Sequence, residues 1–413
     1  MLQWSTLQPY NSVHVLRFDR PLEFDKLKGA IDETLETNGL ASVSLDSGRG
    51  TYLFHAGPAD CEIKPTGGEN PRIALVSEIE QQLNSPFPEQ NPFLPFRFFA
   101  APQEDCFYLG MAYFHAIADG ESIIYLMKEI SERYCGGRPE NGPQSLDLYP
   151  APYLSLFRRA ALLARKLMSL PSGIRKIAIS CRAAYAPRAS LNRVDFLSLK
   201  PDELELLLKK SRSLQATVND LLMALLMKCL VPRSKTWTRP GRRNISIGGV
   251  VNTRKDLGLA GQRKFGLFLG SFFVTHPLPT DFDLVDLAKN IRRQTLAIKK
   301  AQLYLVPLEM TAGRFFFHLF PANIKEKFYR KYHPLWGGVT NMNLNALWPQ
   351  ESSDRTFDYF RAVSTDPATP LVLSATTVAD VMNIVLTYRS TAFRPPHIEE
   401  FKACFYELLK QLA

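Results

Sequence analysis

Apolar residues recur along this chain with two periods that take turns. Residues 13–18 form a short extended run. Phe24, Leu27, Ile31 and Leu35 then recur at helical spacing, with Gly39 as the stop. Residues 41–45 and 51–55 read as strands paired around 47–50, residues 73–83 as a helix, 84–95 as a proline-punctuated connection and 96–100 as another strand. The apolar run 106–114 reads as a buried strand, and it stops at His115. Past Asp119-Gly120, residues Ile123, Ile124, Met127, Ile130 and Tyr134 form one helical stripe, which Cys135-Gly136-Gly137 closes.

The alternation returns after a stretch rich in Gly, Pro and Asn at 136–150. Residues 194–199 read as a strand, Pro201 opens a helix with Leu204, Leu207 and Leu208 on one side, and Thr217-Val218-Asn219-Asp220 starts an apolar helix through Leu230. Strands follow at 244–252 and 267–274, a helix at 284–300, and a strand at 338–347 that ends at Trp348-Pro349. Late strands at 371–374 and 382–389 precede a final helix carrying Ile398, Phe401, Phe405, Leu408 and Leu412. Strands alternating with helices in both halves predict α/β layers. A length of 413 residues exceeds one compact core. The expected division is 1–150 as the first half, 151–190 as a basic crossover and 191–413 as the second half.

Charge adds a constraint on partners. The chain is formally +10, with a pI near 9.2, which suits an anionic partner: coenzyme A phosphates, an acidic carrier protein, nucleic acid or an anionic membrane. Residues 153–188 concentrate the charge, carrying Arg158, Arg159, Arg165, Lys166, Arg175, Lys176, Arg182 and Arg188 without a single acid. An amphipathic helix in peripheral contact with a membrane, a lid, a docking surface for an acidic partner and a crossover helix with a solvated basic face all fit that composition. Further basic patches lie at 233–243, Arg254-Lys255 and Arg263-Lys264; Trp237 is the one aromatic that hints at nucleic acid, and no nucleic-acid partner is expected. Six cysteines without CxxC spacing read as buried, reduced thiols. Residues 1–17 lack the charged start and apolar core of a secretory signal, and the longest helical apolar run, 221–231, contains Lys228 and is too short to cross a bilayer. These features predict a cytoplasmic location.

A buried strand that ends in an imidazole places a general base. With Asp119 four residues beyond His115, three arrangements stand open. Asp119 orients the imidazole, or it points away and anchors the turn through an arginine, or both bind a metal. A metal centre lacks a third ligand at sensible spacing. No Gly-x-Ser-x-Gly elbow or partnered cysteine supplies a nucleophile, and Gly248-Gly249 lacks the spacing of a phosphate cradle. The simplest chemistry is a lone His115 base, exposed between two halves and acting on a substrate hydroxyl or amine, with no metal and no permanently bound cofactor.

Phe114-His115-Ala116-Ile117-Ala118-Asp119-Gly120 resembles the HHxxxDG motif of the chloramphenicol acetyltransferase-like superfamily, which includes nonribosomal peptide synthetase condensation domains, alcohol acyltransferases, wax ester synthases and plant HxxxD acyltransferases. Other stretches fall in that family's order. Thr217 to Asp220 resembles its TVND helix start, Val251-Asn252-Thr253-Arg254 its VNxR strand end, Gly338-Val339-Thr340-Asn341 its late Ser/Thr-Asn strand, and Tyr388-Arg389 with the last helix its C-terminus. The likeness spans nearly the whole chain.

The resemblance implies an α/β fold of two chloramphenicol acetyltransferase-like sandwich halves in a V, with an active-site tunnel between them open to thioester and nucleophile from opposite faces. It implies His115 as base, an Asp119–Arg254 structural ion pair, Gly120 as the residue that permits the turn, and Thr340 or Asn341 as donor to the oxyanion. The activity implied is acyl transfer from a coenzyme A or carrier-bound phosphopantetheine thioester, as co-substrate, to an alcohol or amine. The alternatives are condensation with an acyl or peptidyl carrier protein in an assembly line, and a non-catalytic relative that binds a carrier or a lipid-like ligand. Phe114 stands where the motif has its first His, and the plant DFGWG motif is absent. The heterocyclisation variant has a second Asp where this chain has His115.

Overall fold

Caps and apolar periods set the elements. The first half contains β1 (Asn11–Phe18), α1 (Phe24–Thr37), β2 (Ser42–Asp46), β3 (Thr51–His55), β4 (Ile63–Pro65), α2 (Pro71–Asn84), β5 (Phe96–Pro102), β6 (Phe107–Phe114), α3 (Gly120–Tyr134) and the short β7 (Ser145–Leu146). The second contains α4 (Ala160–Ala178), β8 (Asn192–Leu199), α5 (Pro201–Ser213), α6 (Val218–Lys235), β9 (Asn244–Asn252), the short β10 (Lys264–Phe265), β11 (Leu269–Pro277), α7 (Leu284–Lys300), β12 (Gly337–Asn343), β13 (Tyr359–Val363), β14 (Leu371–Val378), β15 (Val381–Arg389) and α8 (Pro395–Lys410). The structure is a computed structural model. It describes residues 8–46, 51–88, 91–139, 145–146, 153, 156, 159–181, 190–235, 242–278, 281–305, 321, 324, 335–349, 358–366 and 369–412. The turn at 47–50, Arg158, Arg182, Arg188 and Trp237 lie outside the described residues.

Helix starts follow side-chain chemistry. Asn70 accepts from the backbone N–H groups of Arg72 and Ile73 ahead of α2, and Asp283 accepts from Val285 ahead of α7. At α6 the Thr217 and Asp220 side chains each accept the other's backbone N–H, at 3.2 and 2.8 Å.

One sheet has strand order β13-β1-β6-β5-β4 and the other β11-β9-β12-β14-β15-β8. The first packs Leu16, Leu109 and Met111 against Ile31 of α1 and Ile124 and Met127 of α3. The second packs Ile247, Leu373 and Ile384 against the all-round apolar α6, whose residues 221–227 are fully buried. A third cluster sits where the sheets face each other, with Val13, Val15, Phe99 and Ala112 of the first meeting Val194 and Val385 of the second.

Three expectations need correction. β13 belongs to residues 191–413, yet it pairs antiparallel with β1 in the first sheet (His14 opposite Arg361), and β10 pairs with β7. A cut at 190 therefore does not separate the sheets. The charged Arg361 and the short span mask β13 in the sequence. The strand at 338–347 ends at Asn343, whose side chain accepts from Asn345 N at 3.1 Å and starts a 3-10 turn, Leu344–Ala346. Among the cysteines, Cys135 is exposed and Cys404 half-buried, while the others are buried. No single helix among the described residues is long and apolar enough to cross a membrane.

Candidate active site

β6 carries His115 to its C-terminal end, where the ring lies between two tyrosines. Tyr10 stacks on it at 5.4 Å and 8°, and Tyr113 meets it edge-on at 5.5 Å. Nδ1 lies 3.0 Å from the carbonyl oxygen of Ala118. A carbonyl only accepts, so Nδ1 carries the proton and Nε2 keeps its lone pair. Nε2 has no hydrogen-bond partner among the described residues and is not a fully enclosed atom. The residue is 6% exposed, so the openly exposed imidazole expected from the sequence is instead a buried ring with one nitrogen accessible. Burial takes its pKa down to about 4, against the opposing pull of Ala118 O and Asp119. At neutral pH the ring is an unprotonated base.

Asp119 points away from His115. Its Oδ2 accepts from Arg254 Nη1 at 2.7 Å and from Phe268 N at 3.0 Å, and its Oδ1 accepts from Arg254 Nη2 at 3.0 Å and from Ser122 N at 2.9 Å. It is at once the cap of α3 and half of a bidentate ion pair, with both side chains under 5% exposed. Burial disfavours the Arg254 charge, but the Asp119 charge and hydrogen bonds outweigh it and raise its pKa. Of the three arrangements open in the sequence, the geometry is the arginine anchor. Asp119 touches the base only through the chain it fixes.

Gly120 is the first residue of α3 and is not among the glycines with positive φ, so it is not there for a left-handed turn. Its need is space: a methyl group added there would lie 3.1 Å from Met342 Cε, 3.3 Å from Arg361 Nη1 and 3.6 Å from His14 Cε1. Met342 therefore packs against the start of α3, and Thr340, two residues back on β12, shares its face of the strand. Asn341 faces the other way. It lines a groove of about 340 Å³ with Leu204, Leu208, Val218, Asn343 and Met382, on the helix-covered side of the second sheet. Thr340 and Asn341 therefore lie on opposite faces of β12.

One further expectation changes. Arg254 and Arg263, read as candidates for the anionic end of a thioester, are committed internally, to Asp119 and to Glu129. The sequence reading also passed over His14 and Arg361, cross-strand neighbours on β1 and β13 that reach the same point as Gly120. Only the antiparallel register of a strand arriving from nearly 350 residues downstream brings them together. No group of three or more His, Cys, Asp or Glu that would hold a metal ion occurs among the described residues.

Three solved structures share the fold of this chain. The first condensation domain of the calcium-dependent antibiotic synthetase, with a substrate analogue, superposes with a TM-score of 0.72 at 14% identity, over 99% of this chain and 93% of that one. The chain has the condensation-domain fold. The cyclization-docking bidomain of EpoB from Sorangium cellulosum shares this fold at a TM-score of 0.71 and 14% identity, over 98% and 79% of the two chains. The X-domain from teicoplanin biosynthesis, solved with OxyB, shares it at 0.63 and 16%, over 100% and 91%. No family model and no curated protein matches the sequence.

Proposed function

We propose that the protein is an acyltransferase in which His115 Nε2 takes the proton from a substrate hydroxyl or amine as that atom attacks a thioester carbonyl carbon. The tetrahedral oxyanion collapses, the carbon–sulfur bond breaks, and the imidazolium returns its proton to the leaving thiolate. No covalent acyl-enzyme forms. Thr340 is the side-chain candidate for steadying the oxyanion. The donor is a coenzyme A thioester or a carrier-bound phosphopantetheine thioester, and the acceptor an alcohol or an amine. The observation that carries this reading is the Ala118 hydrogen bond, which fixes the tautomer and leaves Nε2 unprotonated and reachable. The fold shared with condensation and cyclization domains supports a carrier-dependent condensation as the more specific form.

Intact-mass detection across a panel of acyl-coenzyme A and acyl-carrier donors, each with alcohol and amine acceptors, tests it. An acylated acceptor with equimolar free thiol is the expected result. One observation favours a second reading, a non-catalytic cleft that binds an acylated carrier: the position of the motif's first His holds Phe114, packed at 5.9 Å from Phe87 and 6.2 Å from Phe93 as part of an apolar wall. A protein that binds an acylated carrier yet releases no thiol with any pair establishes that reading instead.

A further inference from the structure

Arg361 is a buried cation without a counter-ion. It is 3% exposed, and its hydrogen bonds go from Nε to Thr376 Oγ1 at 3.0 Å and from Nη2 to the carbonyl oxygen of Ala375 at 2.7 Å. Both acceptors are neutral, and no Asp or Glu pairs with Arg361 among the described residues. Nη1 is left over, directed at Gly120 and not sealed off. Asp119, the residue before Gly120, has both oxygens occupied by Arg254, Ser122 and Phe268. Burying a lone guanidinium is costly unless an anion arrives to share the site.

His14 stands opposite Arg361 in the β-ladder, and its Cε1 lies against the same residue, Gly120. It is fully buried, its Nδ1 lies 2.6 Å from the Tyr359 hydroxyl, and its Nε2 is enclosed without any partner. In the tautomer in which the Tyr359 hydroxyl donates to Nδ1, Nε2 carries the ring's proton and has no acceptor. Two groups on neighbouring strands, the Arg361 guanidinium without a counter-ion and the His14 ring with an unpartnered Nε2, thus flank the residue that follows Asp119. They match the two oxygens of a carboxylate, with the charge on the guanidinium.

We propose that Arg361 and His14 recognise a free carboxylate on one of the two substrates, held beside His115. The inference rests on the acyl-transfer reading for the word substrate, but not for the anion site itself. The carboxylate belongs to the acyl group or to the acceptor, and separate arms of the test distinguish these sources.

Binding comes first, on the whole protein, by calorimetry with succinate against succinamide. The wild type binds succinate about ten- to hundredfold tighter, the range of a charge-assisted hydrogen bond pair. Arg361→Met removes that preference and keeps or raises the melting temperature, because the charge has no partner in the free protein. Arg361→Lys retains the charge in a different shape and narrows the preference. Equal binding of both probes by the wild type overturns the proposal, as does an undiminished preference in the Met variant. If the Met variant does not fold, the Lys variant decides: a narrowed preference supports the site and an unchanged one overturns it. Turnover then assigns the source. Succinyl- against butyryl-coenzyme A tests the donor, and 3-hydroxybutyrate against its methyl ester tests the acceptor, with a tenfold or greater ratio expected in one arm and lost in Arg361→Met. Succinate selectivity without turnover of any pair sinks acyl transfer and leaves the anion site standing.

Discussion

At the scale of single residues, the proposed base His115 is kept neutral by burial rather than activated by an acidic partner. Desolvation lowers its pKa to about 4, so the ring stays neutral through the physiological range. Two consequences follow. The acid limb of kcat/KM falls with unit slope below about pH 4, not near the 6.5 of a free imidazole. Stability moves the same way. The unfolded chain binds the proton first as pH drops, so His115, with His14 displaced in the same direction, contributes stability that is complete above pH 6.5 and is lost progressively toward pH 4. Urea titrations from pH 7 to 4 check this, and His115→Gln flattens the slope. Gly120 is a second residue-scale constraint. Gly120→Ala gains helix propensity but presses on Met342 and on an Arg361 pinned by two hydrogen bonds, and a net loss of about 1 kcal/mol is expected in equilibrium unfolding.

At the scale of elements, the loop from β6 to α3 holds its shape because Asp119 and Arg254 hold each other. Asp119→Ala strands a buried guanidinium and is expected to destabilise by about 3–5 kcal/mol, whereas Asp119→Leu combined with Arg254→Met is far less costly than the sum of its parts. Chemical denaturation of the double-mutant cycle measures the coupling. Much at this scale is readable from the sequence. The α3 stripe, the strand at 244–252 and the helix at 284–300 have unbroken periods, and the structure gives the last two with the same bounds. What escapes the sequence is whatever depends on register. The five-residue β13, with a charge at its centre, reads as nothing until β1 pairs with it, and His14 and Arg361 stay invisible as a pair until that pairing exists. Asn341 shows the same limit on β12: the spacing places it next to Thr340, and the pleat turns it to the opposite face.

At the scale of the whole molecule, the sheets are joined by strand exchange rather than by a hinge between sequential halves. β13 contributes Arg361 to the first sheet while Arg361 bonds to β14 of the second, so the site spans both. The basic helix α4 displays Arg165, Arg175 and Lys176 to solvent, with Lys166 turned inward toward the carbonyl oxygen of Leu303. If an acidic carrier docks there, reversing Arg165, Arg175 and Lys176 to Glu raises KM for a carrier-bound donor by about tenfold or more and leaves KM for the coenzyme A thioester unchanged; steady-state kinetics with both donors reads the difference.

The most direct test of His115 as the base is thiol release by His115→Ala, compared with wild type at equal folded concentration and on the same donor and acceptor. A loss of about 10²- to 10⁴-fold with an unchanged melting temperature is the predicted result. Wild-type rates of thiol release and acylated product from the alanine variant contradict it.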